Sequence, residues 1–110
     1  MPRFERWDVI AVPFPYVERP IQQRRPALVV AAHLGGSRDL LWVLMITSAA
    51  NPRWPEDVEV EGHEGAGLPI ASVVRTAKIA TIEARAASRL GTISGQKAAR
   101  VAAILRQRLS

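Results

Sequence analysis

The sequence has no cysteine among its 110 residues. A disulfide framework, a thiolate metal site and a cysteine nucleophile are therefore excluded, and a reducing compartment suits the chain. Long apolar runs are missing as well. The longest, Leu40 to Ile46, falls far short of the roughly 18 residues that mark a membrane helix, so no spanning segment is expected. The opening stretch MPRFERWD alternates charge with aromatics and carries no apolar signal core, so a cytoplasmic location is expected rather than secretion. Glycine-rich phosphate loops of the GxxxxGK and GxGxxG types are absent, as is a Gly-x-Ser-x-Gly elbow. The two histidines, His33 and His63, fall in separate turns without metal-ligand spacing. Neither a metal nor a cofactor is expected.

What is present suits one domain covering residues 1–110. Apolar residues make up 48% and charged residues 23% of the chain, enough apolar surface to offset the entropy of ordering. The formal charge of +5 hides an asymmetry. Five of the ten acids, Glu56, Asp57, Glu59, Glu61 and Glu64, occupy one segment without Lys or Arg, leaving fifteen bases against five acids elsewhere. Such a surface favours a polyanion, with nucleic acid first and an acidic protein segment second; the plainer alternative is an arginine-rich solvated face.

Val9 to Val12 reads as a short strand closed by Pro13 and Pro15, which remove two backbone donors. A stiff loop is expected from Tyr16 to Gln23. Ala27 to Ala32 and Leu40 to Thr47 read as strands buried on both faces, joined through HLGGSRDL as a hairpin. Val58 and Val60 alternate with acids as on a half-exposed strand. EGHEGAGLP is a glycine-rich loop, ASVVR and KIATI are two more short strands, and RLGTIS is the last. From Ser94, a favoured N-cap, the spacing of Ala98, Val101, Ala102, Leu105 and Leu109 predicts an amphipathic C-terminal helix. About six short strands and one helix point to a mainly β small barrel, because closure removes exposed sheet edges.

Three polar residues stand at strand ends: Arg25, Thr47 and Arg75. If the two buried strands pair antiparallel, Arg25 and Thr47 share one rim. That rim suits a phosphate, since arginine offers a planar fork and threonine a small donor and acceptor. Each has a structural alternative: Arg25 ringing the barrel end, Thr47 as an ordinary strand-end hydroxyl, and Arg75 paired with an acid such as Glu83.

The segments WDVIAVPFPYVE, RRPALVV, WVLMITS, GLPIASVVRTAKIATIE and RLGTIS, followed by a last helix, resemble in order and spacing the MazF/PemK family of type II toxin-antitoxin systems. The resemblance runs from about Trp7 to the end of the chain. It implies a CcdB/MazF-like fold, an SH3-like barrel with a C-terminal helix, assembled as a homodimer. It further implies metal-independent cleavage of single-stranded RNA at short motifs, and an antitoxin with an acidic, partly disordered segment as partner. Carried over by position, Arg25, Thr47 and Glu18 are the expected catalytic residues. Glu18 lies in the first loop, where members often carry an acid or histidine. Arg24, Arg75, Lys78, Arg53 and Trp54 are the expected RNA contacts, with Trp54 either stacking a base or packing its own loop.

Two departures stand out. Many members begin the first strand with Gly-Asp, whereas Trp7 precedes Asp8 here. Some assign a catalytic role to an aspartate two residues after the VVR arginine, and this chain has Ala77 there, which throws weight onto Arg25 and Thr47. Two other classes compete: a CcdB-like gyrase poison without catalysis, although the chain ends RQRLS rather than in an aromatic tail, and an RNA-binding module that has lost activity.

Overall fold

The computed structural model describes residues 3–13, 24–60 and 62–109. Its order is β1 (Asp8–Pro13), β2 (Arg24–Leu34), β3 (Leu40–Ser48), β4 (Val58–Glu59), β5 (Ser72–Glu83), β6 (Ser88–Thr92) and α1 (Gly95–Leu109). All six strands join one antiparallel sheet in the order β4-β5-β3-β2-β1-β6. The mainly β architecture with a C-terminal helix is the one expected.

The uninterrupted apolar runs of β2 and β3 follow from burial on both faces. Leu28, Val30, Leu44 and Ile46 face a core completed by Val101, Ile104 and Leu105 of α1 and by Val58, Val60, Ala66 and Leu68. Their alternating neighbours Ala27, Val29, Leu41 and Val43 face a second core with Ile10, Val12, Phe4, Ala84 and Ala87. Each fully buried aliphatic side chain contributes about 1.5–3 kcal/mol of transfer free energy. The central strands are thereby fixed in register, since a one-residue slip would exchange the two cores.

The edges of the sheet, β4 and β6, are bridged by the glycine-rich loop. A Cβ on Gly67 would lie 2.0 Å from the Leu90 carbonyl oxygen, and one on Gly91 would lie 2.4 Å from the carbonyl carbon of Ala66. Only two bare backbones can meet this closely.

Three local expectations change. ASVVR and KIATI form one strand, β5, because RTAKI contains no Gly or Pro to turn the chain. The break appears as a bulge: Met45 pairs with Arg75 and Leu44 with Ile79, so Thr76, Ala77 and Lys78 have no counterpart on β3. In α1, Ile104 joins Ala98, Val101 and Leu105 in the core while Leu109 is 71% exposed; Ile104 and Leu105 both neighbour Val101 on the helix surface. His33 lies within β2 rather than in a turn. At the start of β1, Trp7 adopts φ 78, the left-handed geometry that glycine takes without cost. The Trp7 backbone holds it there, donating to Val29 O at 2.8 Å and accepting from Ile93 N at 3.0 Å. The turn survives the departure from Gly-Asp.

Candidate functional site

Arg25 sits opposite Val12 of β1, and Thr47 sits opposite Val73 of β5. Between them, β2 and β3 pair Ala27 with Met45, and two residues further along the same register Arg25 meets Thr47. Val12, Arg25, Thr47 and Val73 thus form one row across four strands, and directly opposed residues share a face. The two valines are fully buried, while the two polar residues at the centre are half-exposed. The row ends the apolar core and starts a polar rim.

Arg25 and Thr47 both line a cleft of ≈ 340 Å³. Arg24, Ser48, Asn51 and Ser72 add polar groups to it, and Ile46, Leu68 and Leu90 add apolar ones. Among the described residues, none of those lining the cleft is acidic. Two guanidinium-bearing residues, three hydroxyls and one amide without a carboxylate suit a phosphate-sized anion.

Asn51 reaches the cleft through a tight turn after β3. Ala50 N donates to Ser48 Oγ at 3.1 Å and Asn51 N to Ser48 O at 3.1 Å. Ala49 N donates to Ala71 O at 2.9 Å and so anchors the turn to the start of β5. The Asn51 side chain folds back, with Nδ2 donating to Thr47 Oγ1 at 2.6 Å. Asn51 was not among the sequence candidates. The signal was local: serine and asparagine close behind a strand favour side-chain-to-backbone turns.

Arg24 is exposed, and its Nη2 donates to Ala11 O at 2.9 Å, Ala86 O at 3.3 Å and Ser88 Oγ at 2.9 Å. It therefore fastens β1 to β6 besides lining the cleft.

Arg75 is not in the cleft lining. It is 7% exposed, and its guanidinium donates to Asp57 Oδ2 at 3.0 Å and Pro52 O at 2.9 Å. Its acid partner is Asp57 rather than Glu83, which pairs with Arg85 at 2.6 Å. Burial pushes the Asp57 carboxyl up. Hydrogen bonds from Arg75 and the Trp54 backbone, with the charges of Arg75 and Arg53, outweigh that and hold its pKa below the ordinary value.

The Trp54 ring centroid lies 4.3 Å from the Arg75 guanidinium carbon and 5.2 Å from Lys78 Nζ. Trp54 is nonetheless 40% exposed. Arg53 pairs with Glu59 at 2.9 Å and Arg108 with Glu56. Three acids of the acidic segment, Glu56, Asp57 and Glu59, are thus each paired with an arginine folded against them.

Glu18 lies outside the described residues. His33 Nδ1 is 3.6 Å from Asp39 Oδ1 at an exposed site, and His63 lies in the loop that bridges the sheet edges; neither lines the cleft. Among the described residues, no helix is long and apolar enough to cross a membrane.

A family model described as PemK-like, MazF-like toxin of type II toxin-antitoxin system matches residues 5–109. Solved structures give the same direction for the fold. A chain of the MazE-MazF crystal structure (Form-II) from Deinococcus radiodurans is 22% identical, with TM-score 0.75, over 100% of this chain and 98% of that one. MazF (Form-I) from the same organism is 23% identical, with TM-score 0.75, over 99% and 98%. A chain of MazE-MazF (Form-III) is 22% identical, with TM-score 0.71, over 97% and 96%. The search of curated proteins finds no match.

Proposed function

Because the chain belongs to the PemK-like, MazF-like toxins of type II toxin-antitoxin systems, we propose that it is an endoribonuclease that cuts single-stranded RNA at short motifs without a metal. The observation that carries this reading is the cleft in which Arg25 stands beside Thr47 and which no acid among the described residues lines. RNA supplies its own nucleophile: the 2′-oxygen attacks the adjacent phosphorus, the P–O5′ bond breaks, and a cyclic phosphate and a 5′-hydroxyl result. One proton must leave the 2′-hydroxyl and another must reach the 5′-oxygen. The protein's part is to move those protons and to stabilise a phosphorane with extra negative charge.

Arg25 carries the electrostatic role. Arginine holds its charge throughout the working pH range, and a preorganised cation at the reacting phosphate lowers the barrier by several kcal/mol. Thr47 hydrogen-bonds the same phosphate. Glu18 is retained, on its sequence position, as the acceptor of the 2′-hydroxyl proton. Arg24, Arg53 and Lys78 attract the RNA backbone, and Trp54 stacks an unpaired base. For Arg75 the reading favours an indirect role, holding residues 52–57 beside the cleft, since its donors already meet Asp57 and Pro52.

The same basic cleft, lined by Arg24 and Arg25, suits an acidic antitoxin segment, which would inhibit by occupying it. A homodimer is proposed as the assembly. Trp42, Ile79 and Leu109, 42%, 52% and 71% exposed, line one groove beside α1, and a second copy covering it would remove that apolar surface from water.

The test is incubation of the purified protein with single-stranded RNA, and with DNA of matching sequence, in excess EDTA. Cleavage of RNA alone, ending in cyclic phosphate and 5′-hydroxyl termini, supports the reading. RNA binding without products supports a lapsed binding module instead.

A further inference from the structure

We infer that Asn51 is a positioning residue that fixes the Thr47 hydroxyl as a donor toward the substrate phosphate; this rests on the ribonuclease reading above. A threonine hydroxyl has one proton and two lone pairs. Asn51 Nδ2 donates to Thr47 Oγ1 at 2.6 Å and so takes one lone pair. The hydroxyl proton cannot point back along that bond and turns to its other neighbours, of which the cleft is one. A phosphate presents only acceptors, so Thr47 helps it only when the threonine donates. With the proton spent on a carbonyl at residue 51, Thr47 would turn a lone pair toward the phosphate and repel it.

The turn makes this orientation stable. Ser48 ties Ala50 and Asn51, accepting from Ala50 N at its side chain and from Asn51 N at its carbonyl, each at 3.1 Å. Asn51 therefore enters the cleft beside Thr47 on a backbone anchored at two points. Charge builds on the phosphate oxygens as the phosphorane forms, so a correctly aimed donor gains most in the transition state. The effect belongs in kcat rather than KM.

The experiment compares cleavage of single-stranded RNA by the full chain, Asn51→Ala, Asn51→Asp, Thr47→Ala and the Thr47→Ala/Asn51→Ala double variant, with thermal unfolding run on each. The expected result is a kcat lower by about tenfold or more in Asn51→Ala, with KM within about twofold of wild type. Asn51→Asp, nearly isosteric but an acceptor, should lose at least as much, because its carboxylate claims the Thr47 proton. Asn51→Ala should add nothing once Thr47 is gone, since the two act as a unit. Wild-type kcat in Asn51→Asp, or full additivity in the double variant, overturns the inference while the ribonuclease reading stands. Absence of RNA cleavage by the wild-type chain overturns that reading and the inference together.

Discussion

Arg75 and Asp57 form an ion pair at 3.0 Å with side chains only 9% and 2% exposed. The pair closes the base of the loop after β3: Arg75 also holds Pro52 O, and Asp57 Oδ2 accepts from Trp54 N at 2.9 Å. Removing one partner of such a pair leaves a buried charge without its counterion, which costs about 3–5 kcal/mol. Asp57→Ala is therefore expected to lower unfolding stability by about 3 kcal/mol in urea titration. A loss below about 1 kcal/mol would show that solvent already screens the pair.

Acid should act through the same carboxylate. Its pKa in the fold lies below the ordinary 3.8, so the unfolded chain takes up the proton first as pH falls. The stabilisation is complete above the unfolded pKa and drains away as pH drops through that value towards the folded one. Urea midpoints from pH 7 downward should show a steeper decline below about pH 4 in the wild type than in Asp57→Asn. Parallel curves would assign the acid sensitivity elsewhere.

Arg25→Ala should cut RNA cleavage by about 10²–10³-fold, the range for loss of one preorganised transition-state group. Circular dichroism and the melting temperature should stay close to wild type, because Arg25 lies at the half-exposed rim. Arg25→Lys should recover only part of the rate, since a single ammonium cannot meet two phosphate oxygens as a planar fork does. Full turnover in Arg25→Ala would remove the cleft from the mechanism.

The strands and the helix were legible in the sequence because burial writes itself into periodicity. β2 and β3 show it as continuous apolar runs, and α1 shows it as Ala98, Val101 and Leu105 on one face. The antiparallel pairing of β2 and β3, and with it the meeting of Arg25 and Thr47, followed from one short turn. What stayed hidden depends on contacts between distant residues. Nothing local distinguishes an arginine bound for a phosphate from one bound for a buried acid, and Arg75 and Asp57 are 18 positions apart. Asn51 was hidden for another reason: its neighbours mark a turn, but not which way its side chain folds.

Trp54 offers a direct contrast between stacking and packing. Its ring rests near Arg75 and Lys78 yet stays 40% exposed. If it stacks a base, Trp54→Ala should raise KM for RNA about tenfold, as a contact worth about 1–3 kcal/mol requires, and Trp54→Phe should restore most of the affinity. An unchanged KM with a lowered melting temperature would assign the ring to the loop alone.

The last prediction concerns closure of the sheet, on which the rim geometry depends. Gly67 combines φ +77 with a Leu90 carbonyl oxygen 2.0 Å from the site of a Cβ, whereas Gly91 has only the close approach, to Ala66 at 2.4 Å. Gly36 supplies the control, with φ +60 and nothing within 4 Å. Left-handed strain costs about 1–2 kcal/mol, and forcing a methyl against backbone costs about 1–3 kcal/mol more. Alanine at Gly36, Gly91 and Gly67 should therefore lower stability in a graded series, with Gly67→Ala losing about 3 kcal/mol or more and Gly36→Ala about 1. Leu68 lines the cleft one residue beyond Gly67, and Leu90 lines it from β6, so RNA cleavage should fall in Gly67→Ala and Gly91→Ala but not in Gly36→Ala. Equal stability losses at all three positions would mean that the loop yields to a methyl group and that the two edges of the sheet are held together elsewhere.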